Sequence, residues 1–153
     1  MSLTSRLALV IGELVSLISY CITVPGTHTY TGGGSGIGRG VCEVFAREGA
    51  SVAVVGNIPA ENEGTVKLLK DIAQNNGHVA SKFIPFEVDV SISSQVNNLF
   101  DSLESSFGQE LPLSIVVNSA GIGTRDSFMV ETEASFDKII NVNLKVLPLS
   151  HHL

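Results

Sequence analysis

The run Thr31-Gly32-Gly33-Gly34-Ser35-Gly36-Ile37-Gly38 constrains this 153-residue chain more than any other feature. It leads straight into a segment, Ile37 to Glu48, whose apolar residues Ile37, Val41, Val44 and Phe45 recur at helical spacing. A flexible Gly/Ser linker would explain the composition but not that helix. Gly32 is expected to take the positive φ of a tight turn, Gly36 to let the backbone come close to a ligand, and Gly38 to let the helix lie against a sheet. Such a turn aims free N–H groups and a helix dipole at one point, which suits a phosphate or pyrophosphate.

The surroundings agree. Leu7-Ala8-Leu9-Val10, Val52-Ala53-Val54-Val55 and Leu113-Ser114-Ile115-Val116-Val117 are short, nearly continuous apolar runs, as expected of parallel strands buried on both faces. Lys82 to Val88 is a more mixed fourth. Between them lie helical patterns at Ile37 to Glu48, Glu61 to Asn75 and Ser94 to Phe107, each stopped by a glycine. The third carries Val96, Leu99, Phe100, Leu103 and Phe107 on one stripe. A last helix is expected from Thr132, with Phe136, Ile139, Ile140, Leu144 and Leu147 on one side, until Pro148 breaks it. Strands alternating with helices give right-handed crossovers, hence an α/β fold with a doubly wound, Rossmann-like parallel sheet of about four strands. That is the first half of such a sheet, a single partial domain over residues 1–153.

Charge narrows the partners. A net charge of −6, with nine basic residues forming no run, argues against nucleic acid. Cys21 and Cys42, with His28, His78, His151 and His152, show no metal-ligand spacing, so reduced thiols and no metal are expected. Leu7 to Val24 is apolar enough to suggest a signal peptide or membrane anchor, but Glu13 lies inside it and Pro25-Gly26 closes it early. An acid at the centre of a spanning helix costs about 2.5 kcal/mol or more, which argues against membrane insertion.

Joining Leu7-Ala8-Leu9-Val10 to Thr31-Gly32 gives a strand running into the glycine turn, and here the chain resembles the short-chain dehydrogenase/reductase family. The pattern Thr-Gly-x3-Gly-x-Gly is matched by Thr31, Gly32, Gly36 and Gly38, Asp-Val by Asp89-Val90, and Asn-x-Ala-Gly by Asn118-Ser119-Ala120-Gly121. The run Phe136 to Lys145 is similar to the helix that carries the family's catalytic asparagine, which falls on Asn143. The nearest branch is that of 17-beta-hydroxysteroid dehydrogenase type 8 and 3-oxoacyl-(acyl-carrier-protein) reductase. The resemblance implies an NAD(P)-dependent oxidoreductase acting on a carbonyl/alcohol pair. It implies that Gly32, Ser35, Gly36, Ile37 and Gly38 contact the coenzyme, and that Asp89 bonds the adenine amino group while Val90 packs on the ring. Asn118, Ala120 and Gly121 would line the ribose and nicotinamide side. Each motif residue also has a plainer reading: Asp89 as a strand terminator, Asn118 as a tie between strand ends, Asn143 as a polar residue on a half-buried helix.

Asn57 departs from the pattern. NAD-preferring members place an acid at this strand end and NADP-preferring members a base. Asparagine can bond a ribose hydroxyl without repelling a phosphate, which leaves NAD or NADP, leaning mildly to NAD. By resemblance the compartment is intracellular, cytoplasmic or mitochondrial. The family's usual homo- or hetero-tetramer is not carried over to this chain.

The family's proton chemistry needs a serine and Tyr-x-x-x-Lys, in which the lysine lowers the tyrosine pKa. Tyr20 and Tyr30 are followed four residues later by Val24 and Gly34, so neither fits. Residues 11–30 and 146–153 are foreign to the family pattern, and a translated intron or gene-model error would account for both. Three functions are therefore weighed: an oxidoreductase represented here by an inactive portion, a non-catalytic dinucleotide- or partner-binding fragment, and a membrane-anchored or secreted protein using Leu7 to Val24.

Overall fold

In the computed structural model, which describes residues 7–11, 30–31, 33–108, 111–123 and 132–144, the apolar runs form neighbouring strands of one parallel sheet. In chain order the elements are β1 (Leu7–Ile11), β2 (Tyr30–Thr31), α1 (Gly36–Arg47), β3 (Ser51–Gly56), α2 (Pro59–Asn75), β4 (Phe83–Glu87), α3 (Ser93–Phe107), β5 (Leu113–Asn118) and α4 (Glu133–Asn143). The strands lie in the order β5-β1-β3-β4, with β2 paired to both β1 and β5. The chain builds outward from β1 through β3 to β4, then returns to place β5 on the other side of β1. This reversal creates the crevice at which doubly wound sheets bind ligands.

Period-two alternation in β3 divides the core. Val52 and Val54 face one cluster with Cys42, Phe45, Ala46, Val66, Leu69 and Ala73, from α1 and α2. Ala53 and Val55 face the opposite cluster with Val88, Val90, Val96, Leu99, Leu103 and Phe107, so α3 covers the other face. All six residues of β3 are buried, as a continuous apolar run on a central strand requires. The apolar stripe of α3 also forms as its spacing predicts, with Val96, Leu99, Leu103 and Phe107 buried.

Glycines stop the helices for a physical reason. Gly49 and Gly77 have φ of 83° and 79°, where side chains are strained. Each closes a Schellman pair: Gly49 N donates to Ala46 O and Ala50 N to Phe45 O, while Gly77 N donates to Gln74 O and His78 N to Ala73 O.

Three readings of the sequence are corrected. The buried face of α1 is Gly38, Cys42, Phe45 and Ala46, while Ile37 and Val44 are 52% and 50% exposed. Gly38, Cys42 and Ala46 join Phe45 in the core, with Val41 packed at its margin, while Ile37 and Val44 turn away from it. A fifth strand appears because Thr31 lies beside Ile11 instead of following Val10: Val10 pairs with Tyr30, Ile11 with Thr31, and Tyr30 with Val117. The glycine turn thus leaves from β2, one strand spacing (about 4.8 Å) to the side of β1. The apolar run at Leu7 forms the strand its pattern predicts, between β3 and β5, and the rest of the segment to Val24 lies outside the described residues. Finally, α4 ends at Asn143, before Pro148, and contains no buried residue. No helix among the described residues is long and apolar enough to cross a membrane.

Candidate functional site

The glycine turn rises from the C-terminal edge of the sheet into α1. Gly33 and Gly34 are buried, and Ser35 stands at the N-cap with extended backbone. The positive φ falls on Gly36, at 54°, where a side chain would be strained. Gly32, given that role by the sequence, lies outside the described residues. Ser35 makes no capping bond with its side chain, and the first turn of α1 carries no acid. Among the described residues neither Ser35 nor an acid of the first turn caps the N–H groups there, and the helix dipole favours an anion. Ile58 and Ile92 likewise leave α2 and α3 without a side-chain cap, whereas α4 is capped internally, with Thr132 Oγ1 accepting from Ser135 N at 3.2 Å and Glu133 in its first turn.

Beside the turn, the ends of β3, β4 and β5 enclose a cleft of about 140 Å³. Gly56 and Asn57 form one wall, Val88 to Ser91 another, and Ala120 and Ile122 a third, with Lys138 and Val142 of α4 closing it. The structure thus brings together Asn57, Asp89, Val90 and Ala120 of the residues singled out by sequence. Asp89 is half-buried, and its Oδ1 accepts from Ser91 N at 2.9 Å and Ser91 Oγ at 2.6 Å. Its own N–H donates to Gln95 Oε1 at 2.8 Å. This Asx turn fixes the carboxylate at the mouth of β4 and leaves acceptor capacity, since a carboxylate has about four lone-pair sites.

The turn and the cleft are one region, joined through α2. Asn62 Nδ2 donates to the carbonyl of Gly56 at 2.9 Å. A Cβ on Gly34 would lie 2.8 Å from Asn62 Oδ1 and 3.0 Å from Glu61 Cβ, so a side chain there would force α2 and the turn apart. On the far side, Asn143 reads the backbone of Ile122 as a strand would: Ile122 N donates to Oδ1 at 2.8 Å, and Nδ2 donates to Ile122 O at 2.9 Å. The carboxamide of Asn143 therefore holds the loop after β5, which carries Ala120 and Gly121. Asn118 is exposed at the end of β5, and a Cβ on Gly121 would meet Asn143 Oδ1 at 3.6 Å.

Sequence reasoning missed Ser91, Ile122, Lys138 and Val142 in the cleft, and Asn62 and Thr65 behind it. For the last two a signal existed. Asn62, Thr65, Val66, Leu69 and Ala73 share one helical face, and all five are buried. Two polar residues on such a face call for polar partners inside the fold.

Comparison with known proteins decides the family. Residues 27–149 match the family described as short chain dehydrogenase. The chain belongs to the short-chain dehydrogenase family. It is 39% identical over 116 residues to (3R)-3-hydroxyacyl-CoA dehydrogenase of Mus musculus, covering 75% of this chain and 44% of that protein. It is 34% identical over 116 residues to 3-oxoacyl-(acyl-carrier-protein) reductase of Thermotoga maritima, covering 75% of this chain and 43% of that protein. Among solved structures, 3-ketoacyl-(acyl-carrier-protein) reductase from Brucella melitensis, complexed with NADH, superposes with a TM-score of 0.72 at 25% identity, covering 99% of this chain and 49% of that one. The chain thus spans somewhat less than half the length of these relatives. The short-chain dehydrogenase fold is the Rossmann-like α/β sheet described above, present here as a partial sheet.

Proposed function

We propose that this chain supplies the coenzyme-binding half of an NAD(P)-dependent oxidoreductase that interconverts a carbonyl and an alcohol, on a 3-oxoacyl or 3-hydroxyacyl thioester or a hydroxysteroid. The observation that carries the reading is the contiguity of an uncapped helix N-terminus, a glycine turn and a cleft at the strand ends. The names of the relatives support the substrate class. A nicotinamide coenzyme, when bound, takes or gives the hydride.

The chain's own residues would do the holding. The turn from Gly32 to Gly38 takes the pyrophosphate on backbone N–H groups, with Ser35 and Ile37 beside it. Asn57, exposed at the end of β3, bonds a ribose hydroxyl. Asp89 accepts from the adenine amino group and Val90 packs on the ring. Asn118, Ala120 and Gly121 face the ribose and nicotinamide side, with Asn143 as their positioning residue. The cleft is smaller than the about 300–1,000 Å³ of a full ligand site, which suits one ring of a dinucleotide rather than all of it. Asn57 supplies no cation for a 2′-phosphate, so NAD is preferred over NADP.

Proton transfer by a placed group contributes about a hundredfold to ten-thousandfold, and the 153 residues hold no Tyr-x-x-x-Lys to provide it. The purified chain is therefore expected to show no hydride transfer with 3-oxoacyl thioesters or ketosteroids. A cDNA product continuing in frame past Lys145 into the rest of the family pattern is expected to turn over. Coenzyme-dependent turnover by the 153-residue chain, free of host reductase, would overturn the assignment of its inactivity.

A further inference from the structure

Both ligand-facing parts of the site are tied to one face of α2, by residues outside every family motif noted above. Asn62, 1% exposed, spends both carboxamide hydrogens on strand ends, donating to Gly56 O at 2.9 Å and to Phe86 O at 3.0 Å. Those carbonyls lie at the tops of β3 and β4, behind the cleft. One helical turn later Thr65, fully buried, donates its Oγ1 to Gly34 O at 2.9 Å. Position i ties down the cleft and position i+3 the glycine turn, from adjacent points on one rigid helix. Among the described residues Asn62 Oδ1 is buried with no hydrogen-bond partner, and it lies against Gly34. A buried acceptor left unpaired is costly, and the carboxamide is held there by its two bonds to the strand ends.

We propose that Asn62 and Thr65 are positioning residues which fix the glycine turn at a set distance from the adenosine cleft, so that one ligand meets both at once. The inference rests on the coenzyme reading above. Its consequence is specific. A ligand that occupies the cleft alone gains nothing from the tie, whereas one that spans cleft and turn gains the advantage of two sites held in register.

Adenosine and ADP-ribose are the probes, titrated into the full 153-residue chain. Thr65→Val removes the hydroxyl while keeping the side-chain shape, and Thr65→Ser keeps the hydroxyl. Thr65→Val is expected to weaken ADP-ribose about tenfold while leaving adenosine within about twofold, and Thr65→Ser to restore ADP-ribose binding. Amide exchange at Gly33 to Ile37 is expected to quicken in Thr65→Val alone. Asn62→Ala, which also frees the strand ends behind the cleft, is expected to weaken both probes, ADP-ribose the more. An equal loss for both ligands, or a loss for neither, overturns the proposal, because a merely structural role makes no distinction between them. Failure of the parent chain to bind either probe refutes the coenzyme reading instead. Exchange at the turn then decides the tie: unchanged rates in Thr65→Val overturn it, and faster rates uphold it.

Discussion

Replacing Asn143 by alanine tests how the outer wall of the cleft is held. The helix that carries it has no fully buried residue: Val142 is half-buried against the cluster under α3, while Phe136 and the flanking Leu144 are 57% and 55% exposed, so apolar burial supplies only part of its docking. The structure adds the two-point bond between the Asn143 carboxamide and the Ile122 backbone, at 2.8 and 2.9 Å. Each such bond contributes about 0.5–1.5 kcal/mol net, and Asn143 is exposed, which places the loss near the low end at about 1–2 kcal/mol for the pair. For a domain of this size that corresponds to a fall in melting temperature of about 2–8 °C. Hydrogen exchange gives the sharper assay. The Ile122 amide should lose its protection in Asn143→Ala, and Asn143→Asp, which keeps an acceptor for that amide but loses the donor, should lie between. Because Lys138 and Val142 close the cleft from the same helix, adenosine affinity should fall as well. Unchanged exchange at Ile122 together with an unchanged melting temperature would show that the Asn143 carboxamide does not hold this loop.

Two further outcomes follow from the core. Burial pushes the Cys42 thiol well above its usual range, with Glu43 adding to the shift. The folded chain therefore keeps this proton while the unfolded chain starts to lose it near pH ~8.5, so this contribution to stability is full below that pH and declines above it. Cys42→Ala should flatten the slope of stability against pH in urea melts above that point, and an unchanged slope would count against the burial argument. Leu103, 2% exposed in the cluster under α3, should cost about 2–5 kcal/mol on change to alanine, read by the same melts.

How far the fold could be read from sequence depended on whether the deciding forces were local. β3 and α3 were legible because a run of Val and Ala, or a stripe at positions 96, 99, 103 and 107, has one good way to bury itself. The side-by-side pairing of Ile11 with Thr31 was not, because a parallel register is chosen by tertiary hydrogen bonding and leaves no periodic mark. For α1 the branched residues drew attention, although close packing against the sheet was achieved by Gly38, Cys42 and Ala46. In the site, the motif residues Asp89 and Ala120 and the variant Asn57 converge on the cleft, whereas Lys138 and Val142 reach it only through the placement of a helix far along the chain. Asn143 was singled out by its motif, but its reciprocal bonding to Ile122 needed coordinates to see.

Calorimetric titration of NAD into the parent chain and into Gly36→Val asks whether the glycine turn and the adjoining cleft hold a nicotinamide dinucleotide. Gly36 has a φ of 54°, a conformation that costs an ordinary residue about 1–2 kcal/mol and a β-branched one more, and its side chain would stand before the N–H groups of α1. Measurable binding to the parent, weaker binding of NADP, and no binding to Gly36→Val in a variant that still melts cooperatively are expected. NAD affinity unchanged by the substitution would mean that the turn does not hold the coenzyme.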